Sequence, residues 1–266
     1  MDEDPQLDDD PVTTATAMPP ARLGGSSRRR GIYLLPNLFT TGVLFCGFYA
    51  IVQAMNGLFQ IAAIAVFVAM LLDGMDGRVA RWTHTASEFG AQYDSIADMV
   101  AFGAAPALVA YEWTLKDLGT AGWIAAFIYC AATGIRLARF NANISVVDKR
   151  YFQELPSPSG AAVMAGLVWV ITDFEFQPSD WLAYVTWVVA VFTGVTMVSN
   201  IAFWSFKEVN WKRRVPLWVI LACVIGITVV ASRPSLILFS LFLAYALSGY
   251  VMWAMGHRVR PVLPEE

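Results

Sequence analysis

Long stretches without a charged residue alternate with short charged segments along most of this chain. The charge-free stretches are residues 31–72, 118–135, 155–172, 181–206, 215–232 and 234–257. A helix needs about 20 residues to cross the roughly 30 Å hydrocarbon core of a bilayer. The first stretch is therefore long enough for two crossings, and the pattern as a whole predicts a bundle of membrane-spanning helices.

Charged, glycine and proline clusters divide the apolar region into eight predicted transmembrane helices. They lie near residues 36–55, 58–82, 94–114, 118–140, 157–174, 181–203, 213–231 and 234–255. The chain is 57% hydrophobic and 15% charged, whereas a soluble domain is about 45–50% apolar and about 25% charged. We therefore predict an all-α, polytopic integral membrane protein and exclude a soluble globule.

The N-terminal residues 1–30 have a different composition from the rest of the chain. They contain six acids and four prolines and end in Arg28-Arg29-Arg30. Such a segment buries too little apolar surface to offset the entropy of ordering it, so we predict a disordered cytoplasmic tail. The predicted division then continues with a membrane core at 31–210, two additional C-terminal helices within 211–256, and a cytoplasmic tail at 257–266.

The distribution of basic residues predicts the orientation. With eight crossings, 16 of the 18 Lys and Arg residues fall on one side of the bundle, and the other two are Lys116 and Arg233. Basic residues concentrate in cytoplasmic segments of membrane proteins. Both termini and the three longest connections are therefore predicted to be cytoplasmic.

Four aspartates lie at the cytoplasmic ends of two successive predicted helices. Asp73 and Asp76 are three residues apart, and Asp94 and Asp98 are four apart. Both spacings place a pair on one helix face. Consecutive spanning helices are antiparallel neighbours, so we predict that the four carboxylates converge at one depth.

A converging group of four carboxylates at the membrane edge indicates cation binding. An ionised acid at membrane depth costs at least a few kcal/mol on the mildest insertion scales, and two divalent ions would balance four negative charges. Ligation by oxygen alone favours Mg²⁺ or Mn²⁺ over Zn²⁺. The alternative is neutralisation by the four nearest arginines, which are Arg78, Arg81, Arg136 and Arg139.

Small residues beside the acids indicate that the ligand is larger than an ion. Gly77, Ala80 and Gly90 each lie one helical turn from an aspartate, and residues without bulk allow close approach of another molecule. Arg81 can offer a fork of donors to a phosphate group. Together these residues predict a phosphate-containing ligand.

The complete pattern resembles the signature of the CDP-alcohol phosphatidyltransferases, integral membrane enzymes with a six-helix core. It reads Asp73-x-x-Asp76-Gly77-x-x-Ala80-Arg81, eight residues, and Gly90-x-x-x-Asp94-x-x-x-Asp98. Further segments are similar to the phosphatidylserine synthase branch of that family. They are Leu35-Pro36-Asn37-x-x-Thr40, Asp94-Ser95-x-Ala97-Asp98, Phe102-Gly103-x-Ala105-Pro106, Arg136-Leu137-Ala138-Arg139-Phe140-Asn141 and Leu155-Pro156-Ser157-Pro158.

The resemblance implies that CDP-diacylglycerol gives its phosphatidyl group to an alcohol and releases CMP. In that branch the acceptor would be L-serine. The aspartates Asp73, Asp76, Asp94 and Asp98 would hold two divalent cations, Mg²⁺ or Mn²⁺, and Asp98 would also accept the proton of the attacking hydroxyl. The contacts to the CDP part would come from Asn37, Thr40, Gly77, Ala80, Arg81 and Ser87.

The acceptor site is predicted from fewer residues. Arg136 and Arg139 are three apart at a cytoplasmic helix end, where either could receive the carboxylate of serine, and Ser95 is a third candidate. The alternative is that both arginines bind lipid phosphates or helix-end carbonyls. Small-residue helix faces and the resemblance favour a homodimer surrounded by membrane lipid, and no nucleic-acid partner is expected.

Three other functions remain open at this point. The same chemistry could act on glycerol 3-phosphate, inositol phosphate or choline. A cation transporter could use the acidic residues as its ion path, although this would not explain Gly77, Ala80 and Arg81. An intramembrane aspartyl protease would need two acids and no metal.

Overall fold

The fold is a bundle of α-helices. A computed structural model describes residues 27–83, 87–142, 151–152, 154–176, 180–201, 203–204 and 217–255. The helices in these ranges are α1 Ser27–Met55, α2 Phe59–Thr83, α3 Glu88–Asp98, α4 Ala105–Trp113, α5 Thr120–Ala142, α6 Ser157–Asp173, α7 Asp180–Val198, α8 Leu217–Ser232 and α9 Pro234–Ala254.

Three shorter features complete the described chain. A π-helical segment, Met99–Ala104, joins α3 to α4 without a break, and a 3₁₀ turn, Leu115–Leu118, precedes α5. The two-residue strands β1, Tyr151–Phe152, and β2, Phe203–Trp204, pair antiparallel. They bring the segment before α6 beside the segment after α7.

The polytopic helical architecture predicted from the sequence is confirmed. Within the described ranges, five stretches are long and apolar enough to cross a membrane: Asn37–Met55, Phe59–Val79, Thr120–Ala142, Asp180–Val198 and Pro234–Ala254. The other three predicted segments correspond to the continuous α3–α4 helix, α6 and α8. The chain is an integral membrane protein.

The two largest differences from the predicted helix boundaries are at the starts of α1 and α3. Helix α1 begins at Ser27 rather than near residue 36, and α3 begins at Glu88 rather than near residue 94. The prediction that residues 82–93 form a connection is therefore wrong for most of that range. The cause is local, since the Ser87 hydroxyl accepts a hydrogen bond from the Gly90 amide at 3.0 Å and caps a helix start that carries no apolar run. The predicted tail up to residue 26 lies outside the described residues.

Small side chains allow the helices to pack closely. Helix α1 packs along α2, and α5 packs along α7. Helix α6 is almost entirely buried and lies between α2, α7 and α9. A methyl group added at Gly47 of α1 would lie 2.6 Å from the Ala101 Cα, so only glycine permits this contact with the π segment. Large apolar side chains such as Phe45, Phe127 and Trp218 point outward, as expected for a lipid-facing surface.

The tight connection between α1 and α2 depends on Gly57. Its φ is +75°, a left-handed conformation that glycine adopts without steric cost. The Gly57 amide donates to Ala54 O at 2.9 Å, and the Leu58 amide donates to Gln53 O at 2.9 Å. These bonds satisfy the carbonyls at the end of α1, so that α2 returns antiparallel to it.

Polar contacts between helix ends agree with the predicted alternation of crossings. Asp173 at the end of α6 accepts hydrogen bonds from Gln60 near the start of α2 at 3.4 Å and from Ser235 near the start of α9 at 2.6 Å. Eight alternating crossings place these three helix ends on the same side of the bundle. The contacts are the ones that this topology requires.

Candidate active site

Three of the four predicted aspartates meet between α2 and α3. One carboxylate oxygen from each of Asp73, Asp94 and Asp98 lies within 4.8 Å of the others, and all three residues are partly buried. We call these residues the acid triad. The side chain of Asp76 lies outside the described part of the structure, so its place in the cluster stays a prediction.

The local helical geometry explains the convergence. Asp94 and Asp98 are one turn apart on α3, and Ala97 between them is buried in the core. The face that carries both aspartates adjoins this buried position and is turned toward Asp73 of α2. Carboxylate oxygens at these separations can ligate one hard cation, whose oxygen ligands lie about 2.0–2.6 Å from the metal.

The two glycines nearest the triad have different surroundings. A methyl group added at Gly77 would meet no atom of the residues that the structure describes within 4 Å, so none of those residues fills the space beside the helix there. A methyl group added at Gly90 would lie 3.1 Å from Ser87 Oγ and 3.6 Å from Asn37 Oδ1. Gly77 therefore leaves room beside the acid triad, whereas Gly90 allows Ser87 and Asn37 to come together.

Helices α1 and α3 are joined by a side-chain hydrogen bond near the predicted CDP-binding residues Asn37 and Thr40. The Thr41 hydroxyl donates to Asn37 O at 2.7 Å and lies 3.0 Å from Tyr93 Oη. Because the single Thr41 hydrogen is already donated, the Tyr93 hydroxyl is the donor in the second bond. Thr40 is buried at the same level of α1. The side chains of Ala80 and Arg81 lie outside the described part.

Arg136 enters the site from α5. Arg136 is only 9% exposed, and its guanidinium donates a hydrogen bond to the Ser157 hydroxyl at the start of α6. Its charge interacts most with that of Glu154 and also with those of Asp98 and Asp73. Arg136 is thus a buried cation beside the acid triad, and it is linked to the first turn of α6.

Arg139 has a different set of partners. Its guanidinium forms an ion pair with Glu154 and lies 3.4 Å from both Val198 O and Asn200 Oδ1. Burial raises the pKa of the Glu154 carboxyl, and the nearby charges of Arg139 and Arg136 only partly oppose this effect. Arg139 therefore joins the ends of α5 and α7 to the segment before α6.

Ser95 is fixed by two hydrogen bonds. Its hydroxyl donates to Ala91 O at 3.0 Å and accepts from the Asn141 side-chain amide at 2.9 Å. The second bond ties the middle of α3 to the end of α5. Ser95 lies between Asp94 and Asp98 in sequence, but its hydroxyl is engaged in a contact that connects α3 to α5.

The hydrogen-bond and ion-pair partners of these residues were not predicted from the sequence. Glu154, Tyr93 and the role of Asn141 were not predicted. Each depends on a contact between distant parts of the chain, with 15 residues separating Arg139 from Glu154 and 46 separating Ser95 from Asn141. Motif spacing carries no information about such contacts.

Comparison with known proteins identifies the class of membrane protein. A sequence profile of the CDP-alcohol phosphatidyltransferases matches residues 33–194, which include the acid triad. The chain belongs to the CDP-alcohol phosphatidyltransferase family, as its resemblance predicted. The family depends on divalent metal ions. Membership argues against the transporter and protease alternatives.

Individual relatives carry a more specific name. A Helicobacter pylori protein named CDP-diacylglycerol–serine O-phosphatidyltransferase is 35% identical over 227 residues, which are 84% of this chain and 92% of the relative. The Mycobacterium tuberculosis protein of that name is 31% identical over 232 residues, covering 84% and 80% of the two chains. The Bacillus subtilis protein of that name is 33% identical over 177 residues, covering 65% and 92%.

Proposed function

We propose that this protein transfers the phosphatidyl group of CDP-diacylglycerol to the hydroxyl of L-serine and releases CMP. The observation that carries the proposal is the acid triad, whose three carboxylate oxygens lie within 4.8 Å of one another inside the matched family region. The similarity to serine O-phosphatidyltransferases over 84% of the chain supports serine as the acceptor.

The residues present fit a divalent cation site. Asp73, Asp94 and Asp98 offer carboxylate oxygens at mutually compatible separations, and Asp76, one turn along α2 from Asp73, would complete a set of four for two ions. Oxygen-only ligation favours Mg²⁺ or Mn²⁺. When bound, such ions would neutralise the diphosphate of the substrate and the charge that develops on the departing CMP.

The nucleotide would lie on the α1 side of the triad. Asn37 and Ser87 lie beside Gly90 at the start of α3, Thr40 is one turn further along α1, and Gly77, Ala80 and Arg81 follow the metal ligands on α2. Among the described residues, none occupies the space beside Gly77, and the diphosphate would lie there beside the carboxylates. The forked Arg81 guanidinium would donate to a phosphate oxygen.

The reaction requires one proton transfer and one substitution at phosphorus. Asp98 would accept the proton of the serine hydroxyl as the serine oxygen forms its bond to the phosphatidyl phosphorus. The bond from that phosphorus to the CMP oxygen then breaks, and CMP leaves with the bonding electrons. Catalysis of this kind rests mainly on positioning and charge neutralisation, which a rigid helical site provides.

Arg136 is the better of the two arginines for binding the serine carboxylate. It is buried, and its charge interacts with those of Asp73 and Asp98, whereas Arg139 is paired with Glu154 at the ends of α5 and α7. A guanidinium can bind a carboxylate through two parallel hydrogen bonds. We assign Ser95 to positioning α3 against α5.

The site would open to the cytoplasm. The asymmetry of Lys and Arg favours this orientation with both termini cytoplasmic, and the acid triad would lie in the halves of α2 and of the continuous α3–α4 helix that are nearer that side. The acyl chains of CDP-diacylglycerol would stay in the bilayer while its head group reaches the triad. A homodimer is the proposed assembly.

An acceptor panel tests the proposal. Purified protein in lipid nanodiscs containing CDP-diacylglycerol would be given L-serine, glycerol 3-phosphate, inositol phosphate or choline, and CMP release would be measured for each. We expect release with L-serine in the presence of Mg²⁺ or Mn²⁺, and none with the other three. Release with glycerol 3-phosphate but not serine would refute the acceptor assignment.

A further inference from the structure

The helix that carries Asp94 and Asp98 changes its geometry directly after Asp98. Residues Met99–Ala104 form a π-helical turn, in which the Ala105 amide donates to Val100 O, five residues back. A π turn inserts an extra residue into the helix, and such turns occur frequently at functional sites. Successive residues of an α-helix are rotated by about 100° about the helix axis. The extra residue therefore rotates the side chains of α3 by about this angle relative to those of α4.

A buried tyrosine contacts the backbone of this turn. The Tyr129 hydroxyl of α5 donates to Phe102 O at 2.9 Å, and both residues are fully buried, at 0% exposure. A carbonyl that is enclosed in the protein requires a hydrogen-bond partner. Tyr129 supplies one from a neighbouring helix.

The position of Tyr129 is itself fixed by α7. A methyl group added at Gly194 of α7 would lie 3.2 Å from the Tyr129 Cα, so the two backbones are in close contact. One turn further along α5, the Thr133 hydroxyl donates to Tyr129 O at 3.0 Å. The tyrosine therefore presents its hydroxyl from a rigid position.

Helix α1 holds the opposite side of the turn. Gly47 of α1 approaches Ala101 so closely that an added methyl group would lie 2.6 Å from the Ala101 Cα. The π turn is thus confined between α1 and α5. Asp98 is the residue immediately before it, so the position of the turn determines where the Asp98 carboxylate lies.

The same face of α5 reaches the acid triad. Tyr129, Thr133 and Arg136 follow one another at spacings of four and three residues, and all three are buried. Arg136 interacts electrostatically with Asp73 and Asp98. This face of α5 therefore contacts both the π turn and the charged site beside it.

From this geometry we infer that Tyr129 is a positioning residue that, through the Phe102 carbonyl and the π turn, fixes the Asp98 carboxylate relative to Asp73 and Asp94. The inference rests on the proposed function, because the arrangement matters for metal binding and proton transfer at Asp98. Tyr129 itself contacts no reacting group.

The test is the Tyr129→Phe variant, which removes the hydroxyl and keeps the ring. Tyr250→Phe is the matched control, since the Tyr250 hydroxyl lies 2.6 Å from Thr196 Oγ1 between α9 and α7, away from the acid triad. Mn²⁺ affinity would be measured by electron paramagnetic resonance, turnover by CMP release, and the stability of the π turn by hydrogen exchange of the amides of residues 99–105.

We expect Tyr129→Phe to weaken Mn²⁺ binding and to reduce kcat, each about fivefold, as for the loss of one buried hydrogen bond, and to accelerate exchange at the π turn. Tyr250→Phe should leave all three at the wild-type value. Equal behaviour of the two variants in Mn²⁺ affinity or in exchange would overturn the inference.

A second pair of variants tests the contact between α1 and the π turn. Gly47→Ala pushes a methyl group against Ala101, whereas Gly226→Ala in α8 adds one where no atom of a described residue lies within 4 Å. We expect only the first to weaken Mn²⁺ binding, and unchanged binding in Gly47→Ala would contradict the inference. If the wild type bound no Mn²⁺, the proposed metal site would fail, while hydrogen exchange in Tyr129→Phe would still decide whether Tyr129 holds the turn.

Discussion

Arg139 and Glu154 form an ion pair that joins the end of α5 to the segment before α6, with the Arg139 side chain 42% exposed and that of Glu154 11% exposed. Arg136, one turn earlier on α5, donates instead to Ser157 and lies in the field of Asp73 and Asp98. Two arginines that are indistinguishable in the sequence thus have different partners.

The different partners predict different kinetics. Arg136→Lys should raise KM for serine about tenfold, because a point charge loses the forked contact to a carboxylate. Arg139→Lys should change KM for serine much less, since its guanidinium is engaged by Glu154. Initial rates at varied serine and saturating CDP-diacylglycerol would show the difference, and an equal rise in KM in both variants would contradict the assignment.

The buried carboxyl of Glu154 predicts a pH dependence of stability. Burial raises its pKa, so the folded state binds the proton more tightly than the unfolded state. The Glu154 carboxyl therefore contributes most to the free energy of unfolding at pH values below its ordinary pKa. This contribution is lost as the pH rises through the raised pKa of the folded state. Glu154→Gln should lack this loss.

Thermal unfolding in detergent between pH ~4 and ~7 would measure this contribution. The control is Glu112→Gln, which removes the carboxylate of the exposed pair with Lys116, 3.5 Å apart. The control should follow the wild-type curve with pH. A wild type and a Glu154→Gln variant with parallel curves would show that the Glu154 pKa is not raised.

Substitution of Gly77 by alanine is expected to raise stability and to lower activity. An alanine there should stabilise the helix by about 0.5–1 kcal/mol, because glycine in a helix interior loses more backbone entropy and the added methyl group meets no atom of a described residue within 4 Å. If the substrate diphosphate occupies that space, the added methyl group would displace it. Activity should then fall, by up to ~100-fold for a displacement of the diphosphate near 1 Å.

The matched variant for this prediction is Gly226→Ala, which also adds a methyl group in open space on a helix. It should show the same gain in thermal stability with unchanged CMP release. Full activity in Gly77→Ala would mean that no substrate group approaches α2 at that residue.

The proposed proton transfer predicts a selective loss in Asp98→Asn. The amide cannot accept the serine proton, so kcat should fall by about 10²–10⁴, the usual contribution of a general base. CDP-diacylglycerol should still bind at saturating metal, since Asn37, Thr40 and Ser87 are unchanged and the amide oxygen of asparagine can still ligate a cation. Turnover near the wild-type value in this variant would exclude Asp98 as the base.

The sequence predicted the helices well where an apolar run defined them. The run that contains α7 and the run that contains α9 each produced one membrane-length helix, because lipid exposure demands continuous hydrophobicity. The start of α3 was missed, since it is amphipathic and depends on the hydrogen bond between Ser87 and the Gly90 amide. Local capping, rather than hydrophobicity, determines that boundary.

The acid triad was predictable because Asp94 and Asp98 share a helix face and α2 is the adjacent helix. The π turn after Asp98 was not, since one extra residue in a helix leaves no periodic signature in six residues. The Tyr129–Phe102 bond spans 27 residues and became visible only with the packing of α5. Long-range contacts of this kind supply the rigidity of the site.

Binding of Mn²⁺ to the purified protein, followed by electron paramagnetic resonance in the wild type and in Asp94→Asn, tests the central claim most directly. The variant removes one ligand of the acid triad, and Glu112→Gln removes an acid outside it. We predict saturable binding to the wild type and to Glu112→Gln, and binding at least about tenfold weaker in Asp94→Asn. Equal affinity in Asp94→Asn and the wild type would contradict a metal site at the acid triad.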